Sequence, residues 1–510
     1  MELSRLISAL YGDSTSRIVA VPAVAEGGLT VTGIFYSSRD VKPGGLFVAI
    51  RGTRADGHDH VKDAVGRGAA VIVAERPVDA GGAIVIEVRD SRRALARLAA
   101  TFYGDPSGRL VIVSVTGTNG KSTVTYFVES VLVSAGFKTG VIGTVNIRYE
   151  GKVFPNPMTT PDAADLQKVF ADMLEAGVTH VVMEVSSHAL VQGRLLFTAV
   201  DVSVFTNLSQ DHLDYHRNME DYFAAKALLF TDYAAENGPK QMMAVINTDD
   251  PYGKRLAAAT RLPLFSTGLS GEATVRGRET AIDASGIRGV LGTPAGDIPV
   301  NSPLVGLHNF RNILSAAGAG LALGLSPAVI ARGLSALSRV PGRLERVENP
   351  YGRHTFVDYA HTPDALEKIL ESMNKIKTGR IITVMGCGGD RDRGKRPIMG
   401  EISARLSDLL VISSDNPRTE DPLSIIAEIL PGAARVKKEL NPKGPLESGF
   451  VVEPDRARAI ALAVAASRPG DTIIVAGKGH EDYQIIGTEK RRFDDRQEAA
   501  RALALLAGKD

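Results

Sequence analysis

One segment constrains the fold of this chain more than any other. Thr116–Thr123, TGTNGKST, lies between a predicted strand and a predicted helix. The strand, Leu110–Val115, is short and rich in β-branched residues, as is typical of a strand buried on both faces. The helix has apolar residues at helical spacing, namely Val124, Phe127, Val128, Val131 and Leu132. This order of strand, glycine-bearing loop and amphipathic helix, ended by Gly136, predicts a parallel α/β unit.

The loop also has the residues that phosphate binding requires. Gly117 and Gly120 allow the backbone to curl so that its N–H groups point inward. Lys121 supplies a positive charge for phosphates, and Ser122 supplies a hydroxyl for Mg²⁺. The common pattern G-x-x-x-x-G-K-[ST] has glycine where this chain has Val115, so the match is to a variant loop. Because all these features coincide, we favour a nucleotide site over a glycine turn with a chance lysine.

The same order of patterns recurs along the chain: a short β-branched run, a polar loop and a helix. This order predicts an α/β fold with parallel sheets. Two polar stretches that contain glycine and proline interrupt it, Phe102–Arg109 and Val340–Gly342. They divide the chain into three predicted domains of ordinary size, residues 1–108, 109–340 and 341–510.

Composition excludes several classes of protein. With 44% hydrophobic and 23% charged residues over 510 positions, the chain has the balance of a globular protein. Cys387 is the only cysteine, so a disulfide scaffold is excluded. The net charge of +1 gives no basic field for nucleic acid, and no apolar run approaches the ~20 residues of a membrane span. We therefore expect a soluble cytoplasmic enzyme with no nucleic-acid partner and no membrane insertion.

Two further polar clusters follow predicted strands. Glu184 lies near the end of the strand His180–Val185, where a carboxylate beside a phosphate loop can bind Mg²⁺. Thr206–His216, TNLSQDHLDYH, follows another strand. It forms either a loop with Asx turns and helix caps or a site for a metal or ligand, and both interpretations stay open. Zinc is not expected, because no cysteine is near and the spacing matches no zinc signature.

Three polar loops follow strands in the last predicted domain. They are Gly386–Arg396 (GCGGDRDRGKR), Asp415–Arg418 (DNPR) and Gly477–Glu481 (GKGHE). Ligands of open α/β sheets bind at the carboxyl ends of the strands, so we expect the loops to share one site. The charges of Arg391–Arg396 alone would be equally compatible with a solvated surface.

Together the motifs resemble the Mur ligases of peptidoglycan synthesis. The resemblance runs from about Tyr36 to Arg496 and rests on the order of TGTNGKST, MEVSSHALVQGR, TNLSQDHLDYH, YFAAKALLF, LHNFRN, PGRLE and DYAHTPDAL. GTNGKS alone would also fit folylpolyglutamate synthases. The resemblance implies an N-terminal α/β domain for a nucleotide sugar, a central P-loop ATPase-like parallel sheet and a C-terminal Rossmann-like domain.

The resemblance also implies a reaction. The D-glutamyl γ-carboxylate of UDP-N-acetylmuramoyl-L-Ala-D-Glu attacks the γ-phosphate of ATP and forms an acyl phosphate. The amine of an incoming amino acid then displaces phosphate and leaves an amide. Positioning and electrostatic screening by Mg²⁺, Lys121 and backbone N–H groups would promote both steps. We expect the protein to act as a monomer.

For ATP and Mg²⁺ the resemblance implies residues from several segments. The nucleotide residues are Gly117, Thr118, Asn119, Gly120, Lys121, Ser122, Thr123, Asn309 and Arg343, with Asp358 and His361 in a matching motif nearby. Ser122 and Glu184 would bind Mg²⁺, and His212 would bind a second Mg²⁺. Lys226 corresponds to a lysine that is carbamylated in this family, and the carbamate would be an anion beside the Mg²⁺. Without the resemblance, Lys226 would be interpreted as one of many surface lysines.

The nucleotide-sugar substrate is expected to contact two segments. The N-terminal residues are Tyr36, Ser38, Thr53, Arg54 and Ala55, and those for the peptide arm are Thr159, Thr160, Ser186, Gln192 and Arg194. A helix predicted to start with Thr160 as N-cap would give Thr159 and Thr160 a position suited to a carboxylate. Ser37 stands where the family usually has aspartate, and we interpret it as a tolerated change.

The tetrapeptide Asp415, Asn416, Pro417 and Arg418 marks the family members that add diaminopimelate. meso-Diaminopimelate resembles lysine but carries a second carboxylate, which Arg418 can bind in bidentate fashion. Lysine would leave that guanidinium unpaired. The remaining residues expected to bind the amino acid are Arg391, Gly477 and Glu481, with Glu481 as the partner of an ammonium.

Three alternatives stay open. The same ligase could use L-lysine. A folylpolyglutamate-type ligase would share the phosphate loop but leave the segments YSSRD and RGTRADG of the first domain unexplained. A nucleotide-binding protein without catalysis would not couple phosphate release to an amino acid.

Overall fold

Strands buried on both faces alternate with helices along most of the chain, and the predicted α/β fold class is confirmed. A computed structural model describes residues 1–13, 18–20, 28–52, 55–211, 215–238, 240–269 and 271–508. The chain divides into two compact units: Met1–Thr267 with Gly318–Ser326, and Gly268–Ala317 with Pro327–Asp510. Among the helices of these described ranges, none is both long and apolar enough to cross a membrane.

The first unit begins with a small sheet and three helices. These elements are α1 (Leu3–Gly12), β1 (Ile18–Ala20), β2 (Ile34–Phe35), β3 (Gly45–Val48), α2 (Val61–Gly66), β4 (Ala69–Ala74), β5 (Ile84–Val88) and α3 (Ser91–Phe102). The strand order is β1-β5-β4-β3-β2, with only β1 antiparallel to its neighbour. Val71 and Val73 pack toward α1 and α3, while Ile72 and Ala74 pack toward α2. Alternate residues of β4 therefore build two apolar layers.

A larger, mainly parallel sheet completes the first unit. Its elements are β6 (Val111–Thr116), α4 (Lys121–Ser134), β7 (Thr139–Ile142), β8 (Ile147–Tyr149), β9 (Lys152–Phe154), α5 (Ala163–Glu175), β10 (His180–Glu184), α6 (Ser187–Val191), β11 (Val202–Phe205), α7 (Met219–Ala227), α8 (Asp232–Ala235), β12 (Met243–Asn247), α9 (Pro251–Ala259) and β13 (Leu264–Gly268). The order is β13-β12-β11-β6-β10-β7-β8-β9, with β8 and β9 antiparallel. The strand before the phosphate loop, β6, thus lies between β11 and β10.

The N-cap predicted for α5 was wrong by two residues. The helix begins at Ala163 with Asp162 at the N-cap position. Thr160 Oγ1 instead donates to the Glu184 carbonyl at 2.9 Å and accepts from the Ser186 N–H at 3.0 Å. A threonine hydroxyl can bond to any nearby backbone group, and here it links two segments rather than capping a helix. The helix-terminus argument for Thr159 and Thr160 therefore fails.

The second unit begins with an antiparallel meander and two helices. These are β14 (Val275–Asp283), β15 (Gly286–Gly292), β16 (Ile298–Ser302), α10 (Leu307–Ala322), whose first part belongs to this unit, and α11 (Pro327–Ala336). β14 pairs with β15 and β15 with β16.

The rest of the second unit is a sheet with helices on both faces. Its elements are β17 (Glu345–Val347), β18 (His354–Asp358), α12 (Pro363–Asn374), β19 (Ile381–Met385), α13 (Lys395–Leu406), β20 (Leu409–Ile412), α14 (Pro422–Ala434), β21 (Gly449–Val452), α15 (Arg456–Ala466), β22 (Thr472–Ala476), β23 (Tyr483–Ile486), β24 (Glu489–Arg492) and α16 (Asp495–Ala504). β23 and β24 form a separate hairpin.

The main sheet has the order β17-β18-β22-β19-β20-β21, parallel except for β17. In β20, Leu410 and Ile412 join one apolar core while Leu409 and Val411 join the other. Because β18, β22, β19 and β20 are parallel, the loops that follow them emerge at one edge of this sheet.

Candidate active site

The phosphate-type loop joins β6 to α4 and depends on two glycines. Gly117 has φ +144°, and a Cβ at this position would lie 1.9 Å from Oγ1 of Thr206. Gly120 has φ +88° and occupies the N-cap position of α4. Lys121 Nζ donates to the carbonyls of Gly117 at 3.0 Å and Thr118 at 2.8 Å. The lysine therefore lies across its own loop, where an incoming phosphate would compete for its ammonium.

The segment after β11 braces this loop. Thr206 Oγ1 donates to the Asn119 carbonyl at 2.6 Å, and the Thr118 N–H donates to the Asn207 carbonyl at 2.8 Å. The Asn119 N–H donates to Asn207 Oδ1 at 3.1 Å. The first part of the segment thus orients the loop, a role that the sequence did not reveal. His212 lies outside the described residues, so its predicted contact with Mg²⁺ remains a prediction.

Lys226 lies on α7 and is buried against the loop. Only 1% of the residue is exposed, and its Nζ donates to the Gly117 carbonyl at 2.8 Å. The ring of Tyr222 lies 4.6 Å from the same nitrogen. Burial, and then the charge of Lys121, hold the pKa of Lys226 well below its usual range. A neutral amine is thereby favoured close to the phosphate loop.

Glu184 ends β10 in register with Val115 of β6, one strand away from the loop. Its carboxylate is 2% exposed and accepts from the N–H of Thr144 at 3.0 Å and from the hydroxyl of Thr144 at 2.9 Å. The Thr144 hydroxyl also lies 3.0 Å from that of Thr159. Sequence reasoning missed Thr144, although it follows β7 in the position where polar residues follow the other strands.

The groups near the loop fit Mg²⁺ better than a transition metal. Glu184 and the hydroxyl of Ser122, which lies buried in the first turn of α4, are hard oxygen ligands. Within the described ranges, no group of three His, Cys, Asp or Glu residues could hold a metal by itself. Mg²⁺ in phosphate sites takes one or two protein oxygens and completes its shell with phosphate and water, so this donor set suits it.

Five of the residues predicted to bind the nucleotide sugar line one cleft of the first unit, although they come from distant parts of the sequence. Thr159, Thr160 and Ser186 are not among its lining residues. The cleft has a volume of about 660 Å³. Its predicted lining residues are Tyr36, Ser38, Ala55, Gln192 and Arg194, and sequence reasoning did not single out Arg39, Arg92 and Asp162. Thr53 and Arg54 lie outside the described residues. Three arginines against two aspartates, Asp63 and Asp162, leave the cleft with a net positive charge suited to phosphates and carboxylates.

Contacts at the cleft hold its polar side chains in place. Arg194 Nη1 donates to the Thr160 carbonyl at 2.7 Å, and Arg194 Nη2 donates to Gln192 Oε1 at 2.7 Å. The hydroxyl of Tyr36 donates to Asp165 on α5 at 2.5 Å. Burial and this carboxylate both raise the pKa of Tyr36. The hydroxyl of Ser186 accepts from the N–H of Ala189 and caps α6.

In the second unit, Arg418 has a constrained backbone. Its φ of +52° is left-handed, which costs a residue with a side chain roughly 1 kcal/mol. Its N–H donates to the Ile485 carbonyl at 3.0 Å, and its carbonyl accepts from the Gly487 N–H at 2.7 Å. Its Nη1 donates to the Gly389 carbonyl at 2.7 Å. The hairpin β23–β24 thus fixes the Arg418 backbone, and the loop after β19 holds its guanidinium.

The other predicted amino-acid residues meet at the same edge of the sheet. A Cβ on Gly388 would lie 2.9 Å from Nη1 of Arg418 and 3.8 Å from Cγ of Arg391, so the two arginines flank this glycine. A Cβ on Gly477 would lie 2.5 Å from Asp415 Oδ2. The structure therefore brings the three predicted loops together.

Asn416 and Glu481 are in direct contact within this group. Asn416 Nδ2 donates to Glu481 Oε2 at 2.8 Å. Lys478, which sequence reasoning did not single out, is fully buried and donates to both Asn416 Oδ1 and Glu481 Oε2 at 3.1 Å. The sequence could have indicated Lys478, because this lysine lies inside the GKGHE loop between two residues that were predicted to bind the amino acid.

The predicted nucleotide residues of the second unit come from several segments, and Asp358 lies next to the GKGHE loop, because the Gly477 N–H donates to the Asp358 carbonyl at 3.0 Å. Asn309, near the start of α10, donates through Nδ2 to the Val305 carbonyl at 2.8 Å. The guanidinium of Arg343 lies 5.1 Å from the ring centre of Tyr359. Asp358 ends β18, and burial raises its pKa to about 6 against the opposing charge of Arg343. Burial lowers the pKa of His361.

Three protein families match successive parts of the chain. The "Mur ligase family, catalytic domain" matches residues 30–103, the "Mur ligase middle domain" matches residues 115–320, and the "Mur ligase, glutamate ligase domain" matches residues 342–479.

Whole proteins with similar sequences and structures agree with these matches. The chain is 50% identical over 499 residues to the UDP-N-acetylmuramoyl-L-alanyl-D-glutamate–2,6-diaminopimelate ligase of Geobacter metallireducens, covering 96% of this chain and 97% of that protein. A solved structure of a ligase with the same name has a TM-score of 0.67 and 30% identity, covering 94% of this chain and 95% of the other. The MurF ligase of Thermotoga maritima in complex with ADP has a TM-score of 0.61 at 19% identity, covering 94% and 97%, and shows a similar fold.

Proposed function

The chain belongs to the Mur ligase family, and on that premise we propose that it joins meso-2,6-diaminopimelate to UDP-N-acetylmuramoyl-L-Ala-D-Glu. It is an ATP-dependent ligase that acts on small molecules. One observation of the site carries the choice of amino acid: Arg418 is fixed by backbone contacts beside Asn416 and Glu481. A fixed guanidinium beside a carboxylate suits a ligand end that bears both a carboxylate and an ammonium.

For ATP we propose binding by the loop from Gly117 to Thr123. The backbone N–H groups at the start of α4 would face the phosphates, and Lys121 would exchange its loop carbonyls for phosphate oxygens. Ser122 and Glu184 would hold Mg²⁺, which when bound supplies charge screening at the phosphates. Asn309 and Arg343 are proposed to contact the nucleotide.

For the nucleotide sugar we propose the cleft lined by Tyr36, Ser38 and Arg194. Its arginines match a ligand with a diphosphate at one end and a carboxylate at the other. Arg194 is oriented by Gln192 and the Thr160 carbonyl, so it is prepared to hold a carboxylate of the peptide arm. Holding that arm would keep the reacting carboxylate in place while it takes the phosphoryl group and is then attacked by the amine.

For Lys226 we propose modification by CO₂. The neutral amine would form a bond to the carbon of CO₂ and release one proton, which yields a carbamate with one negative charge. Burial at the Gly117 carbonyl and the lowered pKa support the neutral amine that this addition needs. The carbamate would add oxygen ligands next to Ser122 and Glu184.

Phosphate release tests the proposed function directly. The protein with ATP, Mg²⁺ and UDP-N-acetylmuramoyl-L-Ala-D-Glu should release phosphate when meso-diaminopimelate is added, and far less with L-lysine. Release with lysine at similar efficiency would favour the lysine-adding alternative. Release with neither amino acid would contradict the proposal. Use of ATP supports a cytoplasmic reaction, and light scattering should give the 54.1 kDa mass of a proposed monomer.

A further inference from the structure

Lys478 is a buried cation that the proposed chemistry does not use. Its side chain has no exposed surface. Burying an ammonium costs several kcal/mol unless charged and polar partners surround it. This lysine lies inside the GKGHE loop, between the predicted amino-acid residues Gly477 and Glu481.

This ammonium makes two hydrogen bonds and lies near one aromatic ring. Two hydrogen bonds of 3.1 Å run to Asn416 Oδ1 and Glu481 Oε2. The ring centre of Tyr483 lies 5.4 Å from Nζ, within the range of a cation–π contact. The ammonium thereby joins the DNPR loop, the GKGHE loop and the β23–β24 hairpin.

These contacts determine the orientation of the Asn416 amide. Its Oδ1 accepts from Lys478 and from the Ile485 N–H at 2.9 Å, so Nδ2 must face the other way. That group donates to Glu481 Oε2 at 2.8 Å. Two donors therefore converge on one oxygen of Glu481, which leaves Oε1 of this partly exposed carboxylate for a cation.

We propose that Lys478 is a positioning residue, which holds Asn416 and Glu481 so that Glu481 receives the diaminopimelate ammonium that is not acylated. The inference rests on the proposed function, because it presumes diaminopimelate as the amino acid. Lys478 acts through its two partners and does not itself touch the substrate.

Lys478→Met tests this role, since methionine has a similar length but no charge and no donor. We expect the KM for diaminopimelate to rise about tenfold or more, while the KM for ATP stays unchanged. The same two proteins are then compared with 2-aminopimelate in place of diaminopimelate. This compound keeps both carboxylates and one amine but lacks the second ammonium. Its KM should be the same in the variant and in the unmodified protein.

The chain provides a matched control. Lys490 is exposed on β24 and lies 3.7 Å from the ring centre of the same Tyr483, so Lys490→Met removes a lysine from that ring without touching Asn416 or Glu481. It should leave all KM values unchanged. If Lys478→Met does not fold, Lys478→Gln keeps an N–H donor group without the charge and should raise the KM for diaminopimelate selectively.

Two results would overturn the inference. One is an unchanged KM for diaminopimelate in a folded Lys478 variant. The other is an equal rise for diaminopimelate and 2-aminopimelate, which would indicate a general structural defect. Failure of the proposed function can be told apart from failure of this inference. In the first case, even the protein without a substitution would release no phosphate with diaminopimelate.

Discussion

At the scale of single residues, Lys226 shows how burial changes chemistry. An exposed lysine is protonated at neutral pH, but this one donates to the Gly117 carbonyl with 1% of its surface exposed. Burial and the nearby Lys121 lower its pKa, so the reactive neutral amine becomes available. Its environment, and not its residue type, makes it a candidate for addition of CO₂.

Replacement of Lys226 by methionine should lower kcat by about 100-fold, because an anion beside the Mg²⁺ site is lost. The protein with its own Lys226, kept in ¹³C-labelled bicarbonate, should show a carbamate carbon resonance. This resonance should be missing in Lys226→Met. Lys254→Met, which removes an exposed lysine of α9, is the control and should retain both activity and resonance. A variant with full activity would refute the role of the carbamate.

Arg418 should determine the choice of amino acid. Arg418→Lys keeps the charge but loses the fork that matches a carboxylate, so the KM for diaminopimelate should rise ~10–100-fold. The KM for ATP should not change. Arg435→Lys, at an exposed arginine paired with Glu401, should behave like the unmodified protein. Steady-state kinetics with each substrate varied in turn would check this, and equal kinetics for both variants would defeat the assignment.

The raised pKa of Asp358 predicts that the free energy of unfolding depends on pH. Burial raises its pKa from 3.8 to about 6, so the folded protein holds this proton more tightly than the unfolded chain. Stability from this group is therefore lost as pH rises from about 4 through about 6, by about 3 kcal/mol at roughly 1.36 kcal/mol per pH unit. The asparagine of Asp358→Asn does not titrate. The Tm of the variant relative to that of the protein without the substitution should therefore rise between pH 4.5 and pH 7. A constant Tm difference would contradict the raised pKa.

At the scale of elements, the phosphate loop is shaped by its neighbours as well as by its own residues. The N–H groups of Thr118 and Asn119 and the carbonyl of Asn119 bond to Thr206 and Asn207 after β11. TGTNGKST predicted the loop, because glycine conformation and helix start are local properties. The contacts that Thr206 and Asn207 make with this loop could not be predicted from the sequence, because parallel pairing joins residues that are distant in sequence.

Two glycines of this element allow a matched comparison. Gly117→Ala would place a Cβ 1.9 Å from Thr206 Oγ1, so the loop must move and nucleotide affinity should fall about 100-fold. Gly136 follows α4 with φ +88°, and a Cβ added there would meet no atom within 4 Å. Gly136→Ala should cost only about 1 kcal/mol of stability and leave ATP binding unchanged. Equilibrium binding of an ATP analogue and thermal unfolding would separate the two effects.

At the scale of the whole molecule, each unit carries its own set of proposed ligand residues. The cleft lined by Tyr36 and Arg194 lies in the first unit, and the loops with Arg418 and Glu481 lie in the second. Each set is built where polar loops leave a buried sheet.

Hydrogen exchange should therefore map the ligands separately. UDP-N-acetylmuramoyl-L-Ala-D-Glu should slow exchange around Tyr36 and Arg194, since a bound ligand reduces local opening. Diaminopimelate should slow exchange in Asp415–Arg418 and Gly477–Glu481. Protection by diaminopimelate confined to the first unit would contradict the proposed amino-acid site.

The sequence by itself determined the fold class, the family and the loops that carry chemistry. Each of these depends on short-range information: alternation along strands, glycine at tight turns, and motif order. The three-domain division and the individual residue roles remain predictions.

Only the tertiary structure decided how distant residues combine. It showed that Thr160 links Glu184 and Ser186 instead of capping α5, that Thr144 holds Glu184, and that Lys478 joins Asn416 to Glu481. A hydroxyl or ammonium bonds to whichever polar group packing brings within about 3 Å. That choice depends on how the strands and loops are arranged in space, which local sequence does not specify.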